Sequence, residues 1–430
     1  MMVAALLFAA LDLGTLFAQK ESWTNSASSF AGKYAKHGFV FASGGGDIVN
    51  CLRHDTCTWH ELQVWETKVY FDKAADGEKV SRVELSLYNR GDAGEAMIGQ
   101  AELQSKIDAV TRQLVSDARK VPQEERTTLR NGGQRLRRMF AKSDPAAELV
   151  WGLSAGDGAK NRTVEFLRLT LMRKGGAKAG SQSKRVTGAA VRTKIKDNVT
   201  KSANGDVFID NVPMVDQGQK GYCAAAVSER VLRYYGKQID EHEIAQQAGT
   251  SAEGGTSVSK MKEVVASVGA KNGLGYQDIV SMTSGIADIE DEIARYNKAA
   301  KVEKKPTLTL DQFTSNHVID VPAIREAMEP KVLHRMRLKD ARFKKFSAGV
   351  RRQINAGIPV FWGVTLGMFP ERGVNPQSTG GHMRLIIGYN DKTKEIVYTD
   401  TWGEGHEIKH MPEDWAFTIT HDAFFLKPTR

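Results

Sequence analysis

The segment Gln217-Gly218-Gln219-Lys220-Gly221-Tyr222-Cys223-Ala224-Ala225-Ala226 sets a cysteine behind a glycine-rich loop and ahead of a run of helix formers. Downstream, Val227, Val231 and Tyr234 recur at helical spacing, and Gly236 stands where the helix should stop. Cys223 therefore falls in the first helical turn. A helix N-terminus carries partial positive charge, which favours thiolate over thiol. Gly218 and Gly221 let the loop before it approach closely. Cys223 is a candidate nucleophile. A lone cysteine is more often a core residue, so the reading depends on partners.

Two segments supply them. Gly380-Gly381-His382-Met383-Arg384-Leu385-Ile386-Ile387-Gly388-Tyr389 puts a histidine at the start of an apolar strand. Val397-Tyr398-Thr399-Asp400-Thr401-Trp402-Gly403 ends a further strand on an aspartate. Antiparallel pairing of the two strands would set Asp400 beside His382. A thiol nucleophile needs a base that later protonates the leaving amine, and the base needs an acceptor to fix its tautomer. It also needs an amide donor for the oxyanion, for which Gln217 is the candidate and Gln219 its rival. Trp402 is read as packing over the histidine and aspartate rather than as a chemical participant.

These residues resemble the papain-like cysteine peptidases. Gln217 stands six residues before Cys223, Gly381-His382 opens a strand that ends on Gly388-Tyr389, and Asp400-Thr401-Trp402-Gly403 is similar to a papain Asn-Ser-Trp-Gly segment. The closer resemblance is to the bacteriocin-processing (double-glycine leader) peptidases, whose triad is Cys, His and Asp. It covers 207–428. It implies a fold of a helical lobe plus an antiparallel sheet, with Cys223, His382, Asp400 and Gln217 as catalytic residues and no cofactor. It also implies a peptide or protein substrate. Tyr222 departs from that family's usual acidic residue, and the insert between Gly236 and Gly357 is long. The reaction is carried over and the double-glycine substrate is not. Another thiol acyl-transfer enzyme (a transglutaminase or an amidase) and a dead papain-like binding module are the alternatives.

The whole chain is α+β in this reading. Its 430 residues suggest two or three domains, and its 41% hydrophobic and 26% charged content is that of a globular protein. A net charge of +9, from 60 basic and 51 acidic residues, does not make a nucleic-acid binder. No segment carries the 18 consecutive apolar residues of a transmembrane span. Residues 1–22 read as a candidate signal peptide, which would place the protein outside the cytoplasm. Asp12 interrupts its apolar run, and the alternative is a buried N-terminal helix in a cytoplasmic protein.

Residues 23–172 read as an α+β domain of unassigned role, an inhibitory prodomain or a partner-binding domain. Val64–Phe71 and Val80–Tyr88 flank an Asp76-Gly77 turn, a helix is expected over 101–120, and Glu148–Leu153 and Val164–Met172 form a second strand pair. Residues 173–206 are a basic Gly/Ser/Ala/Lys-rich linker, read as a solvated tether. Residues 207–430 form the peptidase domain, with strands at Ile358–Thr365, Met383–Tyr389, Glu395–Thr399 and Phe424–Lys427. Cys51, His54, Cys57 and His60 admit a disulfide between the cysteines, a zinc site or neither. Arg135, Arg137, Arg138 and Lys142 read as a solvated helix face. Asp240 with Glu243 reads as a capping box without a functional role.

Overall fold

The computed structural model describes residues 10–42, 48–53, 55–74, 77–90, 97–129, 131–155, 162–173, 195–218, 221–237, 241–248, 258–282, 285–315, 318–371 and 379–429. It is α+β, and the chain divides into two compact units. The first comprises 1–183, 216–225 and 238–256; the second comprises 184–215, 226–237 and 257–430. Among the described residues no helix is long and apolar enough to cross a membrane.

The first unit begins with β1 (Leu11–Asp12), α1 (Leu13–Ala18) and α2 (Ala27–Tyr34). Residues 1–9 of the candidate signal peptide lie outside the described residues, and the rest takes the form of the buried-helix alternative. Asp12, the residue that breaks the apolar run, caps α1 by accepting the Gly14 N–H at 2.9 Å. Leu13 and Phe17 join the core, and Trp23 Nε1 donates to the Phe17 carbonyl at 2.8 Å.

There follow β2 (Val40–Phe41), β3 (Ile48–Cys51), β4 (Cys57–Trp59), β5 (Leu62–Gln63), β6 (Glu66–Ala74) and β7 (Gly77–Asn89). Next come α3 (Gln100–Leu114), β8 (Glu125–Thr128), β9 (Gln134–Phe140), β10 (Ala146–Leu153) and β11 (Val164–Met172). The main sheet runs β2-β3-β6-β7-β11-β10-β9-β8 with every neighbouring pair antiparallel. The expected β6–β7 and β10–β11 pairs form, although Asp76 lies outside the described residues. α3 buries Leu103, Ile107 and Val110, and ends at Leu114, six residues short of the expected 101–120 end, where the backbone turns extended at Val115.

One expectation is corrected here. Arg135, Arg137 and Arg138 lie on strand β9, not on a helix face, and each is ion-paired: with Glu243, with Glu125 and Glu148, and with Glu124 respectively. A strand forms because β9 pairs with β8 and β10 and buries Leu136 and Phe140, while the arginines meet Glu124, Glu125, Glu148 and Glu243. In the 51–60 block, Cys51 ends β3 and Cys57 opens β4. Cys51 and Cys57 are both thiols with no disulfide. A hydrogen bond from Cys57 pulls the Cys51 thiol down to about 6, against its burial. His54 lies outside the described residues, and His60 is turned to Asp12, whose Oδ1 accepts its N–H at 2.8 Å.

The second unit carries β12 (Val199–Lys201) and β13 (Asp206–Ile209). Most of the expected linker lies outside the described residues, but its end is built into this unit. Ile195 is buried and β12 pairs antiparallel with β13. Helix α4 (Cys223–Tyr234) begins in the first unit and runs into the second; α5 (Glu241–Ala248) belongs to the first. Then come α6 (Val258–Lys271), β14 (Leu274–Ser281), α7 (Ile286–Val302), β15 (Thr314–Ser315), β16 (Val318–Ile319), α8 (Val321–Glu326), α9 (Pro330–Arg337) and α10 (Arg342–Asn355). The chain closes with β17 (Val360–Leu366), β18 (Gly380–Asn390), β19 (Glu395–Thr399), β20 (Lys409–Pro412), α11 (Glu413–Ile419) and β21 (Thr420–Pro428).

The sheet runs β12-β13-β18-β17-β21-β14, with β19 joining β18 and β20. From His382 on, β18 is buried on both faces, which is why its sequence reads as a continuous apolar run. It pairs antiparallel with both β17 and β19, with His382 opposite Val364 and Leu385 opposite Thr399.

Candidate active site

The antiparallel β18–β19 pairing carries the end of β19 back toward the start of β18. Asp400, one residue past β19, therefore meets His382. His382 Nε2 donates to Asp400 Oδ1 at 2.6 Å, and the Thr401 N–H donates to the same oxygen at 2.9 Å. Asp400 is fully buried. Burial pushes its pKa up, but the charges of His382 and Arg384, with the hydrogen bonds from His382 and Thr401, outweigh it and hold the carboxyl well below the usual range. The indole of Trp402 stacks on the His382 ring at 4.7 Å and 17°, which shields the pair from water.

The turn after Asp400 is held from within. The Asp400 N–H donates to the His406 carbonyl at 3.0 Å, and Thr399 Oγ1 donates to it at 3.1 Å. Arg230 on α4 reaches this turn: Nη1 donates to the Asp400 carbonyl at 2.6 Å and Nη2 to Thr399 Oγ1 at 2.8 Å. Its Nε donates to the Pro213 carbonyl at 2.7 Å. Complete burial pulls the Arg230 guanidinium down to about 10, still charged at neutral pH.

Gln217 and Cys223 belong to the first unit, and His382 and Asp400 to the second. Cys223 is the first residue of α4 and is half-buried; Gln217 is buried. Gly218 adopts φ +63°, a left-handed conformation glycine takes without steric cost, and its N–H is accepted by Asp216 Oδ1 at 2.9 Å. Tyr222 is buried, and its hydroxyl donates to Asn89 Oδ1 at 2.7 Å. Gln219 lies outside the described residues.

Residues 209–327 and 310–419 match the family model described as the Peptidase_C39 like family. This part of the chain is similar to that family and is a cysteine-type peptidase. The resemblance drawn from the sequence pointed to the same family. No curated protein matches the chain. Among solved structures, a double glycine motif protease from an AMS/PCAT transporter, in complex with the leader peptide, is 14% identical. It covers 51% of this chain and 93% of its own, with a TM-score of 0.25. The peptidase domain of Streptococcus ComA is 13% identical over 51% of this chain and 100% of its own, with a TM-score of 0.25. Xylellain, a cysteine protease from Xylella fastidiosa, is 11% identical over 55% and 89%, with a TM-score of 0.28.

Two residues of the peptidase region gain roles that sequence reading did not assign. Arg384 is an arginine inside an apolar run, between Met383 and Leu385, whereas Arg230 stands among polar residues, after Ser228 and Glu229. A charge inside an apolar run must be paired once buried, and that was the available signal for Arg384. Their partners are far away in sequence and could not be read from spacing.

Among the described residues, Glu66, Glu241 and His242 of the first unit bring one ligand atom each within 4.8 Å of one another. The Lys68 ammonium lies 3.0 Å from both Glu66 Oε1 and Glu241 Oε1. The lysine thus supplies a counter-charge to both carboxylates. The helix α5 segment that carries Glu241 was expected to have no role beyond capping. Instead Glu243 accepts from Arg168 Nη2 at 3.1 Å and from Arg135. Asp240, the other half of the expected capping box, lies outside the described residues.

Proposed function

We propose that the peptidase works through Cys223, His382 and Asp400, with Gln217 and the Cys223 N–H as oxyanion donors. The Cys223 thiolate attacks the peptide carbonyl carbon, forming a C–S bond and a tetrahedral oxyanion. The imidazolium of His382 gives its proton to the amine nitrogen as the C–N bond breaks. Water, deprotonated by His382, then attacks the thioester and regenerates the thiolate. Asp400 fixes the His382 tautomer.

The observation that carries this reading is the 2.6 Å bond from His382 Nε2 to a fully buried aspartate. With Nε2 committed to Asp400, Nδ1 is the ring nitrogen that exchanges the proton with the thiol. The place of Cys223 at the start of a helix favours its thiolate.

The test is the rate of iodoacetamide alkylation at Cys223 in the full chain, followed by peptide mass across pH in wild type and His382→Ala. Reaction well below the ordinary thiol pKa of about 8.5, lost in the variant, is the expected result. Identical profiles in the two proteins would overturn the assignment.

A further inference from the structure

Strand β18 alternates its side chains, so His382 and Arg384 project from the same face. Arg384 Nε lies 2.7 Å from Asp400 Oδ2, the oxygen that His382 does not use. The other end of the guanidinium is held by Glu371, with Nη1 to Oε1 at 3.1 Å and Nη2 to Oε2 at 2.9 Å. Glu371 Oε2 also accepts from the Tyr398 hydroxyl at 2.7 Å. The Arg384 side chain is fully buried and that of Glu371 nearly so. The guanidinium lies 4.9 Å from the Tyr398 ring centroid and 5.6 Å from that of Trp402, the ring stacked on His382. Charges therefore alternate along a buried line: Glu371, Arg384, Asp400, His382.

A buried guanidinium beside Asp400 would, by itself, compete with the imidazolium for the carboxylate. The Glu371 carboxylate, hydrogen-bonded to Nη1 and close to Nη2, offsets that charge. We infer that Arg384 and Glu371 tune the charge of the Asp400–His382 pair: the guanidinium lies beside Oδ2, the oxygen His382 does not use, and Glu371 is the counter-charge that leaves the field of Asp400 to the imidazole. The inference rests on the roles proposed above for His382 and Asp400. The other charged groups around Asp400 are Arg230 at its carbonyl, and Lys409, His406 and Glu407 from the following turn and β20. They are unchanged in the variants below and cannot produce opposite shifts.

The experiment is the titration of the His382 ring by NMR in the full histidine-labelled chain, in a Cys223→Ala background. Glu371→Gln, nearly isosteric, leaves Arg384 uncompensated and lowers the His382 midpoint by about one pH unit. Arg384→Met removes the competing cation and moves the midpoint up; Arg384→Lys, which keeps the charge without the fork, recovers part of the wild-type value. Loss of structure alone would shift both variants in one direction. The inference is overturned if Glu371→Gln leaves the midpoint in place or raises it, or if both variants move it the same way. If Arg384→Met does not fold, Glu371→Gln decides the matter alone. Restoring Cys223 separates the two readings. A raised midpoint marks the thiolate–imidazolium pair, whereas an unchanged one removes the proposed triad and leaves the Glu371 comparison readable.

Discussion

Arg230 and Asp400, 170 residues apart, are joined by a 2.6 Å hydrogen bond from a buried guanidinium to a backbone carbonyl. Arg230 lies seven residues after Cys223 on the same helix, two turns along one face. Within the second unit, Arg230 is thus tied to the turn that carries Asp400. Lysine cannot satisfy the Pro213, Asp400 and Thr399 acceptors in this fork geometry. Arg230→Lys should lower stability by about 2–3 kcal/mol, read from urea unfolding, because buried acceptors lose their donors. A change below about 0.5 kcal/mol would show that the fork is dispensable.

Lys68 is the cation between two buried carboxylates, Glu66 and Glu241. Lys68→Met should cost about 3–5 kcal/mol at neutral pH, as expected when one partner of a buried pair is removed. Without the ammonium, the carboxylates hold protons more tightly folded than unfolded. The deficit should therefore shrink as pH falls toward 5. Urea midpoints at pH 5 and 7.5 check both statements, and a deficit that grows on acidification counts against this account.

Asp216, next to Gln217, is pushed up to about 6, chiefly by burial and further by the negative charges of Glu66 and Glu241. Its folded pKa lies above the unfolded value of about 4, so the native state binds the extra proton between those pH values. Stability therefore falls as pH rises from about 4 to 6. Asp216→Asn keeps an acceptor for the Gly218 N–H and should remove this slope. Melting temperature across pH is the readout, with the variant gaining on wild type above pH 6.

Asp400 is shifted the other way. Its folded carboxyl is held below the ordinary range, so its contribution is complete above about pH 4 and is lost as pH falls below that. Asp400→Asn should flatten the acid limb of the stability profile. On the proposed mechanism it also lowers kcat on a peptide substrate by about 100-fold or more, because the neutral amide no longer stabilises the imidazolium. Full activity in the variant would remove Asp400 from the mechanism.

Gly357 adopts φ +72°, and a Cβ there would lie 2.0 Å from the Ile195 carbonyl oxygen. Ile195 itself is buried, and the Tyr234 hydroxyl donates to the Gly357 carbonyl at 2.9 Å. Gly357→Ala should destabilise by about 2 kcal/mol or more, through the clash and the left-handed backbone together. A neutral substitution would mean that the 195–198 segment packs elsewhere.

Much of the site was legible because its chemistry is local. Cys223 at a helix start, His382 at the head of an apolar strand and Asp400 at a strand end each carry their own signal in neighbouring residues. The β6–β7 and β10–β11 pairs were legible for the same reason, since alternation and turn residues act within a few positions. The arginines at 135, 137 and 138 were misplaced because a charge run looks the same on a helix and on a strand. Leu136 and Phe140, four residues apart, suit either, and only the pairing of β9 with β8 and β10 separates the two. Residues 11–18 were ambiguous because an apolar run capped by Asp12 serves a targeting segment and a core helix equally well.

The chain order alone settles the helix behind Cys223 and the strand that holds His382, because periodicity and capping act over a few residues. The tertiary structure decides which buried charges meet. Arg384 finds Asp400 and Glu371, Arg230 finds the Asp400 carbonyl, and Lys68 finds Glu241. These partners are brought together by strand register and helix packing, and a charge removed from water takes whichever opposite charge the fold sets beside it.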